Sequence, residues 1–236
     1  MGLRRVILGQ NRGSLMYKLH YSPDTASLAI RIVLAELNLP HQSVPIDREA
    51  GQLSSPAYRA MHPLGLIPAM ETPDGPMFET AAMLLYLSDR HPGLAPAPNS
   101  PERAAFLKWL FFTSTNIHTC LLQLFYPERV AGEAAIDAVM AHTRVRMQTY
   151  LAAMDDMVAR DAPGWLSADK PCLMGYYLGM LIRWLATYGA GHPSYFRSAD
   201  FPALHAVLAA HEARAAALAV AADENLGATI FTNPAY

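Results

Sequence analysis

The sequence predicts a mixed α/β domain followed by an all-helical domain. Strand and helix patterns alternate up to His91, everything after Ser100 reads helical, and the segment between them, His91 to Ser100, carries three prolines and no periodic pattern. At 236 residues the chain is long enough for two cores.

Residues 1–15 read as an extension: the apolar run Val6 to Leu8 is too short for a secretory core. Met16 to Tyr21 alternates in the manner of a short strand, and Ser22-Pro23-Asp24-Thr25 supplies a turn. A helix follows in which Leu28, Ile32 and Ala35 share one face while Ile30, Val33, Leu34 and Leu37 cover the rest, so it is expected to be nearly buried. Asn38 to Pro40 ends it. Ser43 to Ile46 can form a second strand, and Ser54 to Met61 a short helix stopped at Pro63. Leu66 to Met70 and Pro76 to Phe78 read as a hairpin around Pro73-Asp74-Gly75, and Thr80 is the N-cap candidate of a helix over AAMLLYLSDR. The order βαβα then ββα is the thioredoxin-like arrangement, a mixed sheet with helices on both faces.

In the second domain, residues 101–226, Pro101 suits a first helical turn and the pattern runs to Phe125, where Pro127 interrupts. Glu133 to Arg160 gives a long amphipathic helix. Tyr177, Leu181, Trp184 and Tyr188 fall on one helical face and are expected to centre the second core, while Ala203 to Val220 is helical, in one or two pieces. The tail over 227–236 carries no pattern.

A formal charge of −2, from 18 basic and 20 acidic residues, gives no reason to expect nucleic acid or an anionic membrane surface. Apolar runs are broken well before the ~20 residues a membrane span needs. The two cysteines, Cys120 and Cys172, suggest neither a disulfide framework nor a metal cluster, and a reducing cytoplasm fits them. The expected partner is a small molecule.

The stretch Leu64 to Arg90 concentrates the functional signals. Pro68 breaks an apolar strand, which suits an edge, a bulge or a cis bond; a cis Ile67-Pro68 bond would leave the Ile67 backbone free to pair with an extended peptide. Glu79-Thr80 sets a carboxylate and a hydroxyl beside the unpaired N–H groups of a helix start. Such a corner suits a zwitterion: the helix start takes a carboxylate, and Glu79 takes an ammonium.

A strand ending in Ile-Pro, a hairpin, and Glu-Thr opening an apolar helix resembles the glutathione-binding half of the cytosolic glutathione transferases, and the resemblance extends from about Met16 to Leu226. It implies a thioredoxin-like domain plus an all-α domain, glutathione as co-substrate bound by Tyr21, Ile67, Pro68, Glu79 and Thr80, no metal, a cytoplasmic homodimer, and detoxification of a small apolar electrophile. The loop Tyr21-Ser22-Pro23-Asp24-Thr25-Ala26-Ser27-Leu28-Ala29 is most similar to the bacterial beta class, Y-x-P-G-A-C-S-L-A, with that class's cysteine replaced by Ala26.

A transferase must hold the glutathione thiol, of pKa ~8.5 when free, as thiolate. With no cysteine in the loop, the donors left are the hydroxyls of Thr25 and Ser27; the better local match favours Ser27, and helix capping explains both equally well. Lys108-Trp109-Leu110 through Asn116-Ile117-His118 resembles a second beta-class pattern, which puts His118 on the histidine that reaches the sulfur across the cleft; a core histidine is the plain alternative. Phe112, Thr115 and Trp165 are weaker candidates to line an electrophile pocket. Around Cys172 and Gly175 the chain departs from the family's reciprocal helix cap, an expected cost of ~1 kcal/mol.

Three alternatives stand beside a transferase: a glutathione-fed disulfide or peroxide reductase needing no protein thiol, a non-catalytic binder of glutathione or apolar ligands, and an interaction module.

Overall fold

The computed structural model describes residues 17–236; the extension over residues 1–15, and Met16 at the head of the first strand, lie outside the described residues. The first domain runs β1 (Tyr17–Tyr21), α1 (Ser27–Glu36), β2 (His41–Pro45), α2 (Pro56–Met61), β3 (Ala69–Thr72), β4 (Gly75–Phe78) and α3 (Thr80–Arg90). The four strands form one sheet in the order β2-β1-β3-β4, with β1 parallel to β2 and antiparallel to β3, and β3 antiparallel to β4. This is the thioredoxin-like arrangement that the element order predicts. The third strand starts at Ala69, later than the predicted Leu66; the residues before it, with a cis bond between Ile67 and Pro68, belong to a loop.

α1 is apolar on every side because it is covered on every side. It packs against β1 and α3 of its own domain and against two helices of the next, Leu173–Leu185 and Ala215–Asp223, and Ser27 through Leu34 are all buried. α2 covers the other sheet face over a small separate cluster of Ile46, Tyr58 and Ala69. Its start is capped by Ser55, whose hydroxyl accepts the Tyr58 N–H at 3.2 Å.

The helical domain comprises α4 (Arg103–Phe112), α5 (Thr119–Phe125), α6 (Glu128–Ala131), α7 (Ile136–Asp161), α8 (Leu173–Leu185), α9 (Pro202–Glu212) and α10 (Ala215–Asp223). Pro101 lies in the turn before α4. The helix predicted to run on to Phe125 is interrupted by a π-helical turn, Thr113–His118, a form that hydrophobic periodicity does not distinguish from α and that often marks functional sites. Thr113 and Thr115 each donate to the carbonyl four residues back, at 2.8 Å.

α8 is the central helix, with every residue from Leu173 to Arg183 buried. The predicted aromatic stripe runs off the core: Tyr177 and Leu181 are fully buried, but Trp184 is half-buried and Tyr188 is exposed, stacked on His192. At the start of α8 the Cys172 side chain makes no cap. Its place is taken from α9, where His211 Nε2 accepts the Cys172 N–H at 3.0 Å and Nδ1–H donates to the Val207 carbonyl at 2.8 Å. Gly175 makes the room, since a Cβ there would lie 2.6 Å from the imidazole.

The patternless tail is tied down. Ile230 and Phe231 are buried, the Glu212 carboxylate accepts the N–H groups of Phe231 and Thr232, and the Phe231 ring fills the space over Gly179.

Candidate glutathione-binding corner

Strand register brings three segments to one end of the sheet. His20 of β1 pairs with Ala69 of β3, and Ala69 pairs with Phe78 of β4. The residues just beyond these pairs, Tyr21 and Ser22, Pro68 and Ile67, Glu79 and Thr80, therefore lie side by side. Neither the N–H nor the carbonyl of Ile67 bonds to another described residue, while the loop before it is held by Tyr58, whose hydroxyl donates to the Leu66 carbonyl at 2.8 Å. Burial pushes the Tyr58 phenol up to about 12, so it stays a donor throughout the physiological range.

Thr80 was the N-cap candidate; the structure makes it the first residue of α3, buried, with Glu79 at the cap and no side-chain hydrogen bond closing it. Glu79 has φ 72° and ψ 112°. A non-glycine residue held there stores of the order of 1–3 kcal/mol of strain, and such residues cluster at ligand clamps. The first N–H groups of α3 remain open for an anion.

The loop after β1 is a closed hydroxyl network. Thr25 Oγ lies 2.7 Å from the Ser22 carbonyl and 2.7 Å from Ser27 Oγ, which itself lies 3.1 Å from the same carbonyl. Two hydroxyl hydrogens serve one carbonyl and one another, so both are engaged whichever donates to which. Thr25 is half-buried, whereas Ser27 is fully buried. Tyr21 is half-buried, and the Arg31 guanidinium sits over its ring at 4.6 Å.

The helical domain grips this loop at Asp24, another positive-φ residue, at 51°. Arg183 of α8 makes two parallel bonds to its carboxylate, Nε to Oδ1 at 2.8 Å and Nη2 to Oδ2 at 2.9 Å. Trp184 Nε1 donates to the Asp24 carbonyl at 3.2 Å, and the Asp24 N–H donates to Glu224 at 2.8 Å. Glu224 also pairs with the buried Arg31 at 2.7 Å.

His118 lies beside Trp184, the residue that holds the Asp24 carbonyl. It is half-buried at the end of the π turn, its ring edge-on to Trp184 at 6.2 Å between centroids, and its Nδ1 is 2.9 Å from the Tyr177 hydroxyl. Burial lowers its pKa to about 4, so the ring is neutral at pH 7. The weaker candidates scatter. Phe112 packs edge-on against Trp109 and Tyr150, Thr115 is exposed and spends its hydroxyl on the Phe111 carbonyl, and Trp165 is buried against Phe106.

Sequence reading missed Asp24, Arg183, Trp184 and Tyr177 as parts of this region. Tyr177 and Trp184 were visible only as members of a core stripe, and no sequence spacing links Asp24 to Arg183. Among the described residues no cluster of His, Cys, Asp and Glu could hold a metal ion, and no single helix is long and apolar enough to cross a membrane.

A thioredoxin-like domain with an open backbone edge beside a helix start, closed over by a helical domain, defines a two-domain protein of the transferase type. Residues 17–96 match the family described as glutathione S-transferase, N-terminal domain. A glutathione S-transferase of Xanthomonas campestris, GST-4.5, is 28% identical over 170 residues, covering 71% of this chain and 81% of its own. A maleylacetoacetate isomerase of Pseudomonas aeruginosa is 27% identical over 200 residues, covering 78% of this chain and 90% of its own. The structure of a sphingomonad glutathione S-transferase complexed with glutathione superposes with a TM-score of 0.73 at 28% identity, covering 89% of this chain and all of its own. Residues 17–96 thus carry a glutathione S-transferase N-terminal domain, and the whole chain has the fold of the glutathione transferases.

Proposed function

We propose that the chain is a glutathione transferase that binds glutathione at the corner formed by Tyr21, Ile67, Pro68, Glu79 and Thr80 and promotes attack of its thiolate on a small apolar electrophile. The observation that carries this reading is the register-enforced meeting of the unpaired Ile67 backbone with the strained Glu79 and the open start of α3. An extended peptide can pair with Ile67 as an added strand, while its γ-glutamyl end meets the helix start and the Glu79 carboxylate. The family and the glutathione-bound structure of a relative support the same ligand.

Of the two loop hydroxyls, Thr25 is the one solvent reaches, and Ser27 backs it from below. In this reading the sulfur displaces Thr25 from the Ser22 carbonyl and takes its hydrogen bond, with Ser27 donating to that carbonyl instead; His118 faces the sulfur from the helical domain. Phe112, Thr115 and Trp165 are left as remote supports of the electrophile side. A homodimer fits the exposed Leu64, Leu66 and Phe78 around His62, and a cytoplasmic role in detoxification fits a thiol-dependent activity.

Titration calorimetry with glutathione on the wild type and Thr80→Ala tests the site: binding weakened by about 1–3 kcal/mol in the variant is expected, and no binding at millimolar glutathione overturns the reading. Turnover of Thr25→Ala and Ser27→Ala with 1-chloro-2,4-dinitrobenzene then separates the two hydroxyls, the larger loss of rate being expected for Thr25→Ala.

A further inference from the structure

We propose that Tyr177 is a positioning residue for His118, holding its imidazole in the Nε2–H tautomer so that this N–H is offered to the region of the loop after β1. The catalytic consequence rests on the glutathione reading above; the tautomer itself does not.

The argument begins with hydrogen counting. Tyr177 Oη has one hydrogen, and Tyr177 is fully buried in α8. It lies 2.9 Å from His118 Nδ1, and no other described residue accepts a hydrogen bond from it. A phenol oxygen is a good donor and a poor acceptor, whereas the bare nitrogen of a neutral imidazole is a strong acceptor. Tyr177 therefore donates to Nδ1, since the reverse would leave its buried O–H without an acceptor among the described residues, and the imidazole hydrogen is left on Nε2. The surroundings keep both groups neutral: burial drives the Tyr177 phenol well above its ordinary value and the His118 ring down.

His118 Nε2 bonds to no described residue and is not among the buried orphaned atoms. The ring stands edge-on to Trp184, whose indole N–H holds the Asp24 carbonyl in the loop that carries Thr25. An Nε2–H there can donate to an anion beside Thr25. The opposite polarity, Nδ1–H donating to Tyr177, would present a bare lone pair that repels a thiolate.

Imidazole nitrogen NMR on the full-length protein tests this directly, because the two tautomers have distinct nitrogen shifts. The wild type is expected to show His118 as Nε2–H at neutral pH, and Tyr177→Phe a mixture of both forms. If Tyr177→Phe does not fold, the wild-type nitrogen shifts decide the tautomer. With glutathione and 1-chloro-2,4-dinitrobenzene, kcat of Tyr177→Phe should fall about tenfold while KM for glutathione stays within about twofold. Wild-type His118 as Nδ1–H, an unchanged tautomer in Tyr177→Phe, or a lost tautomer with unchanged kcat each overturns the proposal. If the wild type turns over no electrophile, the functional reading fails, and the nitrogen shifts still decide whether Tyr177 sets the tautomer.

Discussion

Asp24 and Arg183 meet in a two-bond pair, at 2.8 and 2.9 Å, that joins the loop after β1 to the middle of α8. Arg183 is almost wholly buried and Asp24 partly exposed. Burial opposes the charged guanidinium, yet the hydrogen bonds and charge of Asp24 outweigh it and hold its pKa above the ordinary value. The pair ties the segment bearing the candidate thiolate donors to the wall bearing His118.

Asp24→Asn isolates that charge, since asparagine tolerates the same positive φ. Removing one partner of a fully buried pair costs about 3–5 kcal/mol; the partial exposure of Asp24 lowers the expectation to about 2–3 kcal/mol. Equilibrium urea unfolding measures it, and a loss under about 0.5 kcal/mol, the scale of an ordinary surface change, would show the clamp to be dispensable.

Glu79→Gly separates strain from binding. Glycine relieves the cost of φ 72° but adds freedom to the unfolded chain, so stability should change by less than about 1 kcal/mol in either direction. Glutathione affinity should fall at least about tenfold through loss of the carboxylate. Thermal unfolding and calorimetry on the same sample read both, and an unchanged affinity would remove Glu79 from the site.

His211→Ala deletes the acceptor at the head of α8 and leaves a hole against Gly175 and Tyr176. Loss of a cap and of buried packing together should cost about 2–3 kcal/mol. A variant as stable as the wild type in urea would mean that water caps α8 equally well.

Acid sensitivity follows from two histidines. His118 is lowered to about 4 by burial and His211 is lowered chiefly by burial, while both titrate near 6.5 in the unfolded chain. Below 6.5 the unfolded state binds more protons, so their contribution is complete above 6.5 and is lost as pH falls toward 4. The Glu36 carboxyl works lower down: burial raises its pKa, but bonds from Arg214 and Tyr176 outweigh that and bring it below the usual value. Its contribution is present above its ordinary 4.5 and disappears as pH falls through the lowered value. Urea midpoints measured from neutral pH down to 4 should decline across the histidine window, and His118→Gln should flatten the decline; a flat wild-type profile would contradict both assignments.

Much of this architecture was legible because it is written in local chemistry. Asn38 ended α1 where expected, Pro73-Asp74-Gly75 made the hairpin, and Ile67-Pro68 proved cis. Element edges were less so: β2 begins at His41, two residues before the predicted Ser43, since a parallel pairing with Tyr17 sets its length. Thr80 proved to be the first helical residue because Glu79 adopts a conformation that no propensity would assign to glutamate. The Asp24 clamp and the Tyr177–His118 pair were illegible for another reason. Their partners lie 159 and 59 residues apart, and only the packed fold brings them together.

Gly175 and His211 form a unit of two positions that constrain each other's future. The imidazole fits only because position 175 has no side chain, so an aspartate placed there to rebuild the family's local cap would collide with it, and the same aspartate with alanine at 211 would have room. Each single change should therefore be harmful and the double change much less so. The route between the two solutions passes through a poorly folded intermediate, and chains carrying either one are expected to keep both residues together.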